Sequence, residues 1–139
     1  MKSNLPESIK ILLNWEYIFL FFFFLVNIIS YNQFNWWIII LFWFPDVSFA
    51  GYLINKKVGA ISYNITHFYG TAIILWLIAF FANNSNLSYL AMIQLAHISF
   101  DRLLGFGLKY PNSFQKTHLK FIDKIKIKKY LSPKKSKFS

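Results

Sequence analysis

Four stretches of about twenty mostly apolar residues follow one another through the chain, at roughly residues 9–29, 35–54, 60–81 and 87–108. At 1.5 Å per residue each is long enough to cross about 30 Å of hydrocarbon. No small soluble core absorbs four such segments. The chain has 139 residues, of which 56% are hydrophobic and 22% aromatic, more apolar surface than a domain of this size hides from water. The connections "SYNQF", "NKKVG" and "ANNSN" are short and polar, as between antiparallel neighbours in a bundle. The sequence therefore predicts an all-α, polytopic membrane protein. Four transmembrane helices form an antiparallel bundle over residues 1–108, and a basic tail follows over 109–139. The first stretch is expected to stay in the mature protein, because its apolar run is long, holds Glu16 and ends without a small-residue cleavage site.

Charge placement sets an orientation. Lys2 and Lys10 flank the first span, Lys56 and Lys57 lie between the second and third, and the tail carries ten Lys against one Asp. All three basic regions fall on one side of a four-span topology, so both termini are expected in the cytoplasm of a multi-pass inner-membrane protein. The net charge of +10 is concentrated in that tail. Attached to a span, the tail is expected to lie on anionic headgroups, with Phe121, Ile122, Ile125 and Tyr130 dipping inward, rather than on nucleic acid. Its apolar spacing fits neither helix nor strand. Cysteine is absent, which excludes disulfides, thiolate nucleophiles and Cys-ligated zinc. The sequence does not speak to oligomeric state.

Against this apolar background stand ionisable and polar residues within all four spans: Glu16, Asp46, Asn64 with His67, and His97 with Asp101 and Arg102. Counted from the cytoplasmic ends, Glu16, Asp46, His67 and Asp101 fall roughly 9–12 Å deep and His97 roughly 16 Å deep. Helical spacing puts Gln94, His97, Asp101 and Gly105 on one stripe, with Gly105 expected to admit a neighbouring helix. Pro45 is expected to kink the second span beside Asp46. Gln94 and Asn64 read as interhelical hydrogen-bonding residues. The three acids outnumber the one arginine, and each unpaired charge in hydrocarbon costs roughly 2.5–3.5 kcal/mol, so the surplus calls for protonation, imidazolium or a bound cation.

His67, His97 and Asp101 are the expected chemical centre, with Asp46 and Glu16 as further carboxylates and Arg102 facing a polar or anionic headgroup. His118 and Asn64 are further candidate ligands. Imidazole and carboxylate donors suit zinc, iron or manganese; without a metal the same groups serve as general acid and base. Three functions stay open: an enzyme acting on a lipid or isoprenoid, a proton- or cation-coupled transporter subunit, and a structural or assembly protein. Confinement of the polar groups to the cytoplasmic half favours the enzyme, since a transporter needs access from both faces.

At these same residues, "PDVSFAGY", "YNITHFY", "QLAHISFDRLLGFGLKY" and "SFQKTHL" resemble the motifs of an uncharacterised family of small bacterial integral membrane proteins, domain of unknown function 4260. The resemblance spans roughly residues 12–119. It implies a four-helix membrane protein without an assigned activity, and its motif positions include Asp46, Gly51, Tyr52, Tyr63, Asn64, His67, His97, Asp101, Arg102, Gly105, Gly107, Lys109 and His118. Where the family's pattern tends to place Gly after "THL", this chain has Lys120.

Overall fold

A computed structural model describes residues 6–30 and 36–119; Lys2, residues 31–35 of the first connection and the tail from Lys120, with its expected headgroup contacts, lie outside the described residues. The described residues are mostly helical, with one short hairpin. Their five α-helices run α1 Glu7–Ser30, α2 Trp37–Trp43, α3 Lys56–Thr66, α4 Tyr69–Phe81 and α5 Ser85–Leu103. A 3-10 helix, Phe44–Leu53, continues α2, and strands β1 Lys109–Tyr110 and β2 Ser113–Thr117 pair antiparallel after α5.

Helix α5 is the axis of the fold. Phe21 of α1 meets Phe100, while Ile28 clusters with Tyr89 and Ile93, so α1 runs antiparallel to α5. Ile38 and Leu41 of α2 pack on that same cluster and Phe42 meets Phe100, so α2 runs parallel to α5. Tyr69 of α4 donates to Ser99 at 3.1 Å and Ala72 packs with Leu95 and Ile98, so α4 is antiparallel again. The alternation of directions agrees with the expected bundle. Among the described residues one helix, α1, is individually long and apolar enough to span a membrane, and a second such span results if α3 and α4 are taken as one bent unit, short of the four expected.

Two expected spans are broken, and both breaks have local causes. Pro45 has no N–H to donate into a continuing α-helix, and the chain passes there into the ten-residue 3-10 helix. The third span bends by 49° between α3 and α4. His67 caps α3 with φ −109° and ψ 17°, and Phe68 is extended. At the other end of α3, Asn55 caps the helix by accepting from the Val58 N–H at 2.8 Å, which starts it before the apolar run begins.

The 3-10 helix lies directly against α3, and glycine permits that approach: a Cβ on Gly51 would overlap Ser62, and one on Gly59 would overlap the Tyr52 ring. Hydroxyls stitch the contact. Ser62 Oγ donates to the Ser48 carbonyl at 2.8 Å and Thr66 Oγ1 to Ser48 Oγ at 2.9 Å. Ser48 thereby fixes the segment that carries Asp46 one turn from His67. Gly105 departs from its expected role, since a Cβ there would meet nothing within 4 Å. Its φ of +77° instead ends α5: Gly105 N–H bonds to the Arg102 carbonyl at 3.0 Å and Phe106 N–H to the Asp101 carbonyl at 2.8 Å.

Candidate metal centre

Asp46 from the 3-10 helix, His67 from the end of α3, and His97 with Asp101 from α5 each aim one donor atom at a common point, all four atoms within 4.8 Å of one another. The individual separations are informative. His67 Nε2 lies 3.2 Å from His97 Nε2, 3.3 Å from Asp46 Oδ1 and 3.5 Å from Asp101 Oδ2. His97 Nε2 lies 3.6 Å from Asp46 Oδ1 and 4.0 Å from Asp101 Oδ1. Donors bound tetrahedrally at 2.0–2.2 Å from one ion sit about 3.3–3.6 Å apart. Four of these five separations lie in or within 0.1 Å of that interval; they draw on both Asp101 oxygens, and the sixth pair, Asp46 with Asp101, falls within the 4.8 Å bound.

Proton counting sharpens the geometry. His67 Nδ1 lies 3.0 Å from the Tyr63 carbonyl, which only accepts, and 2.8 Å from the Thr66 hydroxyl; a proton on Nδ1 satisfies the carbonyl and turns a lone pair from Nε2 into the cluster. His97 Nδ1 is buried without a hydrogen-bond partner among the described residues. Two carboxylates and two imidazoles this close crowd the centre with acceptor atoms, a set that added protons or a cation would balance.

The surroundings hold these donors still. Tyr63 lies four residues before His67 on α3, and its ring stacks on His67 with centroids 3.8 Å apart. The same Tyr63 donates its phenol hydrogen to Asp101 Oδ2 at 3.0 Å. His97 is oriented by packing, with the Phe42 and Trp43 rings 5.1 and 6.2 Å away edge-on. Both imidazoles are fully buried, whereas the Asp46 side chain is 28% exposed, so the 3-10 helix is the accessible side.

The remaining sequence-predicted residues sit outside this cluster. Glu16 is on the exposed face of α1, because the Phe21, Phe24 and Ile28 face is the one turned to α5. Arg102 is buried and does not face outward: Nη2 donates to the His67 carbonyl at 2.9 Å and Nη1 to the Phe106 carbonyl at 2.6 Å, which ties the break after α3 to the end of α5. Asn64 commits both ends of its amide to Lys109, donating to its carbonyl at 2.9 Å and accepting from its N–H at 2.7 Å. Gln94 donates to the Thr66 carbonyl at 2.9 Å. Asn64 and Gln94 thus join elements, as read from the sequence. His118 Nδ1 accepts from the Leu108 N–H at 2.8 Å and packs on Gly107, where a Cβ would come within 2.5 Å of that nitrogen. Partial burial, and after it the Arg102 charge, hold the His118 imidazole below its ordinary pKa.

Two contributors, Tyr63 and Lys109, appear in the sequence only as motif positions of the family resemblance, with no role at the site. Tyr63 is an i, i+4 partner of His67, a spacing shared by many aromatic pairs in this chain. Lys109 is buried with its ammonium 5.0 Å from the centroids of both the Phe49 and Tyr63 rings. Its position depends on the hairpin, which the sequence did not foretell.

Comparison with known proteins adds the family. Searches among curated proteins and among solved structures return no match. The sequence profile described as "Domain of unknown function (DUF4260)" matches residues 10–122, most of the chain and all four donors of the cluster. The chain belongs to the DUF4260 family.

Proposed function

We propose that this chain is a multi-pass inner-membrane protein whose Asp46, His67, His97 and Asp101 hold a divalent cation, zinc, iron or manganese, and that it is a metal-assisted hydrolase acting on a lipid-derived substrate. The observation that carries the proposal is the convergence of four donor atoms from the 3-10 helix, the end of α3 and α5, all within 4.8 Å of one another. Large apolar side chains exposed on every α-helix, among them Phe19, Ile39, Ile65, Ile78 and Leu90, support the bilayer as the surrounding medium. Basic residues on one side of the proposed topology support cytoplasmic termini, with the basic tail against anionic headgroups.

A divalent ion held by these donors would supply Lewis acidity. The residues do the rest. The Tyr63 hydroxyl holds Asp101 and the Tyr63 carbonyl holds His67, so both donors are presented without reorganisation. Phe42 and Trp43 lie against the His97 ring and Phe49 against the His67 ring. Asp46, the most exposed of the four and borne on a 3-10 helix, is the donor placed to face an incoming substrate.

Element analysis of detergent-purified protein tests this directly. Near-stoichiometric ion is expected in the native chain, with background levels in His67→Ala and His97→Ala. A second reading rests on the 3.2 Å Nε2–Nε2 distance, which is also hydrogen-bond length and suits a metal-free His/Asp acid–base pair. Folded native protein without bound ion after incubation with zinc, iron or manganese would favour that reading and end the metal one. Orientation is tested separately. The chain has no cysteine, so Lys57→Cys gives a single label site, and modification from outside intact cells would invert the topology.

A further inference from the structure

A cavity of about 570 Å³ lies beside the cluster, in the size range of small-molecule sites. Its polar lining is gathered next to the donors. Pro45 and Ser48 bracket Asp46, and Thr66 precedes His67, with its hydroxyl 2.8 Å from His67 Nδ1. Gln94, one turn before His97, completes this end.

The rest is apolar, and it runs one way. Leu90 lies seven residues before His97 on α5, Leu75 eight residues after His67 and Leu41 five before Asp46. Because α5 and α2 are parallel and α4 antiparallel, all three displacements point toward the same end of the bundle. The α5 spacing alone places that end roughly 10 Å from the cluster. No charged side chain lines the cavity. Phe44, Val47 and Leu90 on its wall are themselves exposed, so it opens sideways from the bundle.

An elongated apolar slot, open laterally, parallel to the helices and polar only at the end whose lining residues adjoin the donors in the chain, is complementary to one kind of molecule. We infer that the cavity binds one hydrocarbon chain of a bilayer lipid, in the direction lipid chains already take, and delivers the polar linkage at the head of that chain to Asp46. The chain enters where Phe44, Val47 and Leu90 are exposed, without leaving the apolar phase. Its binding also bears on the cluster, since the wall segment 44–48 carries Asp46 itself. The inference rests on the metal-centre reading only for what the polar linkage meets.

The test uses the full chain in lipid nanodiscs containing a phosphatidylglycerol with a photoreactive diazirine along one acyl chain, with adducts mapped by mass spectrometry and metal content measured on the same samples. Adducts are expected to concentrate on Leu41, Leu75 and Leu90. Leu75→Trp, which fills the slot, is expected to lower labelling at Leu41 and Leu90 by about tenfold, equivalent to blocking a site of modest affinity. Leu77→Trp, on the exposed face of the same helix, should leave it unchanged. Labelling of the native chain spread evenly over lipid-facing positions such as Phe19 and Ile78, or enriched labelling that Leu75→Trp does not reduce, overturns the inference. The two readings separate cleanly: slot labelling without bound ion keeps the chain site and removes the metal, whereas bound ion with even labelling does the reverse. The native labelling pattern decides even where a tryptophan variant fails to fold.

Discussion

Helices α1 and α5 touch along much of their length and are built on opposite rules. Of the 24 residues of α1, almost all apolar after the first turn, only Ile28 is buried. Of the 19 residues of α5, eleven are buried, and they include His97, Ser99, Asp101 and Arg102. The proposed bilayer accounts for this difference: apolar side chains are neutral toward lipid, and polar groups gather where they satisfy one another. The comparison also explains why Glu16 and Asp101, both acids expected at similar depth, part company. Depth is set by residue count, but the face is set by which stripe packs, and the α1 stripe that meets α5 is Phe21, Phe24 and Ile28.

The largest effect should separate those two acids. Asp101→Ala removes a cluster donor and the partner of the Tyr63 hydroxyl, and in protein carrying an ion it should bring metal to background and cost about 3–5 kcal/mol of stability. Glu16→Ala should change neither metal content nor melting temperature by a measurable amount. If Asp101→Ala instead stabilises the protein as isolated, the cluster was relieved of repulsion between acids and no ion was there. Next in size is the lipid-facing side of the comparison. Phe19, at the middle of α1, is 69% exposed. Phe19→Arg should cost roughly 2.5–3.5 kcal/mol in membrane insertion, read as the fraction integrated into microsomes or inverted vesicles. In water the same exposed substitution would stay within about 0.5 kcal/mol, and that result would break the membrane reading.

How much of this was legible in the sequence differs between the two helices. The helical character of the chain, the joining of His67, His97, Asp101 and Asp46, and the linking roles of Gln94 and Asn64 all follow from residue type, spacing and depth, which a helix preserves. What depended on tertiary rotation did not follow. Arg102 was counted as a cation for a headgroup, yet a buried chain break after α3 leaves the His67 carbonyl needing a donor, and the neighbouring α5 residue supplies it. The break itself was missed because nothing between Ala60 and Phe81 is a proline; the signal was Asn55, whose cap starts α3 early and makes one straight span too long. The hairpin lay in a segment whose pattern was mixed. Gly107→Ala probes that hairpin: it pushes a methyl against His118 and should cost about 1–3 kcal/mol while leaving metal content intact.

The smallest effect concerns the end of α5, where a sequence reading for helix contact and the observed backbone disagree. If Gly105 were a contact glycine, as the stripe with His97 and Asp101 suggested, any side chain there would clash and Gly105→Asn would be worse than Gly105→Ala. With open space around the Cβ position and φ of +77°, the order should reverse. Alanine in that left-handed conformation costs about 1–2 kcal/mol, and asparagine, which enters it more readily, should recover part of the loss. The turn matters to the site because the Asp101 carbonyl accepts the bond that closes it, so the same residue anchors the helix end through its backbone and the cluster through its side chain. Gly105→Ala should therefore lower the melting temperature by a few degrees. It should also weaken ion retention during chelator challenge, with Gly105→Asn intermediate on both measures. Equal losses for the two variants would mean the glycine serves a contact after all, and that α5 ends where it does for some other reason.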